Sequence, residues 1–203
     1  PDFKSKKGYI SLPVELEGNE SAFIVFRKTN KVTEKKDNFP QKAIVYKIDT
    51  PWKITFEAGK RGPKTPVVWS QLKDWMDSEN DSIKYFSGQA VYETTFTLEK
   101  LPQKSLYIDL GNVMVMAKVT LNGHYVGGVW INPYRLNVTD YLREGENKLE
   151  ITVVNNWQNR LIGDQRLPED QRLTWTTINP WKADSSLQSS GLLGPVEIQF
   201  FDY

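Results

Sequence analysis

Val115-Met116-Ala117-Lys118-Val119-Thr120-Leu121-Asn122-Gly123 is the stretch that decides the fold. Val115, Ala117, Val119 and Leu121 take every second place, with Met116, Lys118 and Thr120 between them. A period of two is the signature of a strand with one buried face. The Asn-Gly pair that ends it meets the positive-φ demands of a tight hairpin turn. The same rhythm recurs on either side. Ala90, Tyr92, Thr94, Phe96 and Leu98 share one side of a run from Gln89, and Leu106, Ile108 and Leu110 follow. Leu149, Ile151 and Val153 come after the reversal Arg143-Glu144-Gly145-Glu146-Asn147, and Val196, Ile198 and Phe200 close the series. Many short alternating strands separated by turn residues predict an all-β antiparallel sandwich or jelly roll with little helix. The best helix signal is Ser70–Met76, two turns at most, where Leu72, Trp75 and Met76 share a face and Ser70 is placed to cap.

Upstream the character changes. Ala22–Phe26 and Ala43–Ile48 read as strands, Lys28–Lys42 as a charged solvated loop, and Trp52, Ile54 and Phe56 as another alternating strand. Residues 58–66 are rich in Gly, Pro and Lys and read as an exposed loop. A soft boundary falls near residue 50. Residues 1–48 are either strands of an upstream β region or an extension of the sandwich, and residues 49–203 form the sandwich itself.

Composition removes most function classes. The 203 residues carry 26 Lys+Arg against 25 Asp+Glu, a formal net charge of +1, so the basic excess of a nucleic-acid binder is missing. No apolar run approaches the roughly 20 residues of a membrane span. No signal peptide opens the chain, and Pro1 follows no Met, which suggests a mature or excised segment. Cysteine is absent and His124 is the sole histidine. Thiol nucleophiles, disulfides, thiolate zinc and multi-histidine metal sites therefore fall away. His124 sits beside the Asn122-Gly123 turn and reads as an exposed turn residue rather than the base of a triad. Gly191-Leu192-Leu193-Gly194 lacks the Lys-Ser/Thr of a phosphate loop.

Glycoside hydrolysis needs two carboxyls about 5–10 Å apart, and Asp164, Glu169 and Asp170 are the nearest donors, in a polar stretch where solvated acids are ordinary. The seven Trp carry more information. A sugar ring offers an apolar C–H face and a rim of hydroxyls, so its sites combine flat aromatics with amides and charged groups. Trp130, Tyr134, Trp157, Trp175 and Trp181 lie in turn-rich segments. Asn155-Asn156-Trp157-Gln158-Asn159-Arg160, followed by Gly163-Asp164, concentrates the polar partners. The candidate carbohydrate-binding set is Trp130, Tyr134, Asn156, Trp157, Asn159, Arg160, Asp164, Trp175 and Trp181. Its structural alternative is that the indoles plug the open end of a sandwich and that Arg160–Asp164 is a loop-fixing ion pair.

Val119–Gly127, Asn132-Pro133-Tyr134, Asn137–Leu142 and Gly145–Leu149 together resemble the sugar-binding domain of family-2 glycoside hydrolases, a galactose-binding-like jelly roll. Tyr85-Phe86-Ser87-Gly88, Tyr92 with Phe96, and the run Asn156-Trp157 to Asn159-Arg160-Leu161-Ile162-Gly163-Asp164 are similar to the C-terminal region of bacterial α-L-rhamnosidase-like enzymes of glycoside hydrolase family 106. Pro51-Trp52 and Val25-Phe26-Arg27 extend that likeness, which covers roughly residues 9–201. The resemblance implies catalytic carboxylates on an upstream barrel, so no catalytic residue is carried over to this chain. It implies an accessory module of an enzyme acting on rhamnose-containing polysaccharide, with carbohydrate and the catalytic domain of the same polypeptide as partners, in the periplasm or outside the cell. The alternatives are a structural brace on the catalytic domain without sugar binding, and a small stand-alone glycosidase. A monomer is expected. No cofactor is expected either; related jelly rolls often hold a structural calcium, but no ligand run here resembles an EF-hand loop.

Overall fold

The computed structural model describes residues 2–26, 38–39 and 41–202. A small hairpin, β1 (Lys4–Lys6) and β2 (Tyr9–Ser11), is followed by β3 (Gln41–Lys47), β4 (Trp52–Phe56) and β5 (Val67–Trp69). A 3-10 turn at Trp75–Asp77 and a single helical turn, α1 (Asp81–Lys84), lead into β6 (Gln89–Leu98), β7 (Leu106–Asp109), β8 (Asn112–Met114), β9 (Met116–Leu121), β10 (His124–Val129) and β11 (Arg135–Asn137). Then come β12 (Gly145–Val154), α2 (Gln158–Asp164), a 3-10 turn at Glu169–Gln171, β13 (Gly191–Gly194) and β14 (Glu197–Asp202). Two antiparallel sheets do the folding, as expected. One has six strands in the order β10-β9-β12-β6-β4-β5, the other four in the order β11-β7-β14-β3. A two-stranded ribbon, β13-β8, closes one side between them.

Alternation explains the packing. The even-numbered apolar positions of β6 and the odd-numbered positions of β12 point inward, and ten consecutive pairs from Gly145–Leu98 to Val154–Gln89 fix the register. Slipping that register by one residue would turn both apolar sets to water. Leu106, Ile108, Val196 and Ile198 face them from the smaller sheet and its approach. Trp52, Phe56, Trp75, Phe86 and Tyr92 form an aromatic knot in the core, with neighbouring ring centroids 4.8–6.3 Å apart. The Asn122-Gly123 turn has φ of 51° and 82°, as its sequence predicts. Asn122 ties it down, donating to the Tyr141 carbonyl at 2.8 Å and to Asn147 Oδ1 at 2.9 Å. His124 opens β10 and is exposed.

Three local expectations are corrected. Ser70–Met76 forms no helix; only Trp75–Asp77 turns, capped by Asp74 and not by Ser70. The reason is tertiary: Asp74 Oδ1 accepts from Met76 N at 3.0 Å and from Ser190 N at 2.9 Å, which pins Trp75 into the core. Ala22–Phe26 forms no strand. The stretch Gly163–Arg172, read as loop-like, begins inside the helix α2 and holds a 3-10 turn at Glu169–Gln171. The strand-like Ala43–Ile48 is β3, which lies hydrogen-bonded along β14. Of the predicted charged loop, residues 28–37 and 40 lie outside the described residues.

Candidate functional site

Strand order brings Trp130 and Trp157 to one end of the six-stranded sheet. β10 and β12 both run toward this end, separated by β9: Val129 pairs with Ala117, and Val153 with the same Ala117. Trp130 therefore leaves β10, and Asn155-Asn156-Trp157 leaves β12, at the same rim. Two strand spacings separate those exits, roughly 10 Å. Trp157 stands at the start of α2. Trp175 stands near its finish, because Asp164, the last residue of α2, receives the backbone of Leu173 at 3.1 Å and of Thr174 at 2.9 Å. Seven helical residues carry the backbone roughly 10 Å from Trp157 to the Asp164 end that holds Leu173 and Thr174.

Exposure divides the candidates. Trp130 is 71%, Trp157 63% and Trp175 84% exposed. Asn156 is exposed too, donating to Gln188 Oε1 at 3.0 Å while its own Oδ1 accepts from Gln158 N at 3.2 Å. Tyr134 and Trp181 are half-buried, Tyr134 against the core beside Leu110. Asn159, Arg160 and Asp164 are buried. Asn159 donates to the Gln188 carbonyl at 2.7 Å and accepts from Gln188 N at 2.8 Å, a two-way clamp between α2 and the segment ahead of β13. Asp164 Oδ2 also accepts from the Thr174 hydroxyl, and its Oδ1 takes Arg160 at 3.5 Å. Burial makes the Arg160 guanidinium a stronger acid than usual; Asp164 offsets part of this, and Arg61 adds to it. Gly163 belongs to the same packing, since a Cβ there would come within 2.6 Å of the Tyr85 ring. The motif is thus a scaffold of buried polar contacts that holds exposed indoles at its two ends.

Sequence reasoning missed several of the supports. Gln188 and Ser190 receive α2, and Tyr92 holds the ribbon: its hydroxyl accepts from Trp75 Nε1 at 2.6 Å and from Leu192 N at 3.2 Å. Burial raises the Tyr92 phenol well above its ordinary range, so it stays neutral. No local pattern announces such partners, which lie 17 and 100 residues away from Tyr92.

Other chemistry finds little footing. Glu169 and Asp170 are exposed in a 3-10 turn, and Asp164 is fully engaged. Among the described residues no group of three or more His, Asp or Glu side chains is placed to hold a metal ion. Among the described residues no helix is long and apolar enough to cross a membrane. A cavity of about 840 Å³ opens on the outer face of the four-stranded sheet, lined by Glu15, Glu17, Lys42, Tyr107 and Arg135 among others, but by none of the candidates. Its charges answer one another: Arg135 meets Glu17 at 3.0 Å and Asp109 at 3.3 Å, and Lys42 meets Glu197 at 3.6 Å.

Known proteins share this architecture. A rhamnosidase from Novosphingobium sp. PP1Y superposes with a TM-score of 0.80 at 37% identity, over 97% of this chain and 19% of its own. A Formosa agariphila protein named "Putative beta-glucuronidase" is 44% identical over 158 residues, 65% of this chain and 14% of the relative. The β-D-glucuronidase of Dictyoglomus thermophilum, at 17% identity and a TM-score of 0.54, shares the fold over 83% of this chain and 29% of its own. The chain thus spans less than a third of each of these proteins. The family model described as "Glycosyl hydrolase 2 galactose-binding domain-like" matches residues 69–187, more than half of the sequence. The chain belongs to this galactose-binding domain-like family of glycosyl hydrolase 2.

Proposed function

We propose that the chain is a non-catalytic, carbohydrate-contacting module of a larger glycoside hydrolase, of the α-L-rhamnosidase type of family 106 and placed toward the C-terminus of that enzyme. The likeness to the Novosphingobium rhamnosidase supports this parentage. Rhamnose-containing polysaccharide would be the substrate of the parent, and export to the periplasm or beyond would follow from it. Catalytic carboxylates would lie elsewhere in that polypeptide, since Asp164 is engaged inside its own scaffold.

The observation that carries the reading is the set of three indoles, Trp130, Trp157 and Trp175, left in water at one end of the sandwich. Large indoles are expensive to leave exposed and suit the apolar face of a sugar ring. Asn156 and Gln188 stand beside Trp157 to meet hydroxyls. Tyr134 and Trp181, both half-buried, would add aromatic contacts, and the buried Asn159, Arg160 and Asp164 hold α2 in place. Titration of the chain with a panel of neutral oligosaccharides, rhamnose-containing ones included, tests this by tryptophan fluorescence and calorimetry. Saturable binding is expected; silence across the panel removes the sugar.

The second reading is a brace that packs these indoles against the catalytic domain of the same polypeptide. One observation favours it: Trp130, Trp157 and Trp175 line neither the cavity on the four-stranded sheet nor the shallow one beside Glu93. In the longer enzyme a brace would shield Trp157 from acrylamide quenching, whereas a sugar platform would leave it open.

A further inference from the structure

Ser21-Ala22-Phe23-Ile24-Val25-Phe26 is a run the sandwich does not use. Its residues are the β-branched and aromatic types that favour strands, and five in succession are apolar. A strand on a sheet surface alternates; one apolar on both faces is of the kind covered on both sides. Here it is covered on neither. Phe23 is 95% exposed, and Ile24, Val25 and Phe26 are more than half exposed. The run makes no ladder with other described residues.

The surrounding geometry sets it apart from the core. Asp2 N donates to Asn38 Oδ1 at 2.7 Å, and Asn38 Nδ2 donates to the Asp2 carbonyl at 2.7 Å and to the Pro13 carbonyl at 3.3 Å. The chain thus departs and returns at one point just ahead of β3, and the excursion also carries the exposed Tyr9, Ile10, Val14 and Leu16. So much apolar surface in one excursion marks an interaction site.

From these observations we infer that Ser21–Phe26 is a strand of a second β-sheet, supplied by another part of the longer polypeptide, and adds to that sheet by backbone pairing. The inference rests on the reading of the chain as a module of a larger enzyme. The rhamnosidase likeness takes in 97% of this chain within a protein of which it is only 19%.

Amide hydrogen exchange on the longer polypeptide and on the 203-residue chain tests it. Amides of residues 22–26 should exchange at once in the short chain and at least about 100-fold more slowly in the long one. Val25→Asp in the long polypeptide should abolish that protection and leave sugar titration at the loop end unchanged. Fast exchange in both overturns the pairing while leaving the module reading intact. Protection already present in the short chain also overturns it, and a dependence on protein concentration would then identify a second copy as the occupant. A gene product of these 203 residues alone would overturn pairing and module together.

Discussion

Tyr92 shows how one hydroxyl can govern a distant segment. Buried at the centre of the aromatic knot, it receives the indole N–H of Trp75 and the backbone N–H of Leu192, linking β6 to the 3-10 turn and to β13. Tyr92→Phe keeps the ring and orphans two buried donors. Each such loss costs about 1–3 kcal/mol, so chemical denaturation should show a destabilisation of about that size or more, with little change in the denaturant slope. Asp164 plays the same part for the rim. Asp164→Ala strips Leu173 and Thr174 of their acceptor and leaves Arg160 buried without its counter-charge. A loss of about 3–5 kcal/mol is expected from breaking a buried pair on one side. Equilibrium unfolding measures it, and a loss under about 1 kcal/mol, the scale of a surface pair, would contradict the scaffold role.

At the scale of elements, the outer face of the large sheet carries a titratable contact. Glu93 on β6 lies between Lys53 on β4 at 2.9 Å and Lys148 on β12 at 3.7 Å. The hydrogen bond and charge of Lys53, aided by Lys148, hold its carboxyl below the usual range despite partial burial. A depressed carboxyl stabilises the fold above its unfolded-state pKa and loses that contribution as pH falls through the folded value. Glu93→Gln should therefore lower Tm slightly at neutral pH, by less than about 1 kcal/mol in free energy. The gap to wild type should close in acid; a gap that widens there would contradict the assignment. Elements also show where the sequence is legible. Strands with one buried face were readable because alternation is written in adjacent residues. The helix α2 was not, since Asn159, Gly163 and Asp164 are weak helix formers and seven residues do not sustain a helix alone. It exists because Gln188 and Thr174 hold it. The Ser70–Met76 pattern misled in the opposite sense: its apolar residues anchor Trp75 to the core through Asp74, not along a helix face.

For the whole molecule, the two ends of the sandwich differ. At one, Asn122 and the buried Asn147 lace the turns together: Asn147 accepts from Arg143 N at 3.1 Å and donates to the Arg143 carbonyl at 2.7 Å. At the other, the chain spreads Trp130, Trp157 and Trp175 over a buried polar scaffold and leaves them in water. The motif's aromatic and polar residue types are legible in the sequence; which of them face solvent depends on partners far along the chain. The division we propose makes the exposed indoles the contact surface and the buried amides and ions their support. Its most direct test is a calorimetric titration of the wild-type chain and of Trp157→Ala/Trp175→Ala with the best rhamnose-containing oligosaccharide of the panel, with Tm recorded for both. The account predicts saturable binding that the double variant loses at an unchanged Tm. Binding that survives in the double variant, or a wild type that binds no sugar at all, would contradict it.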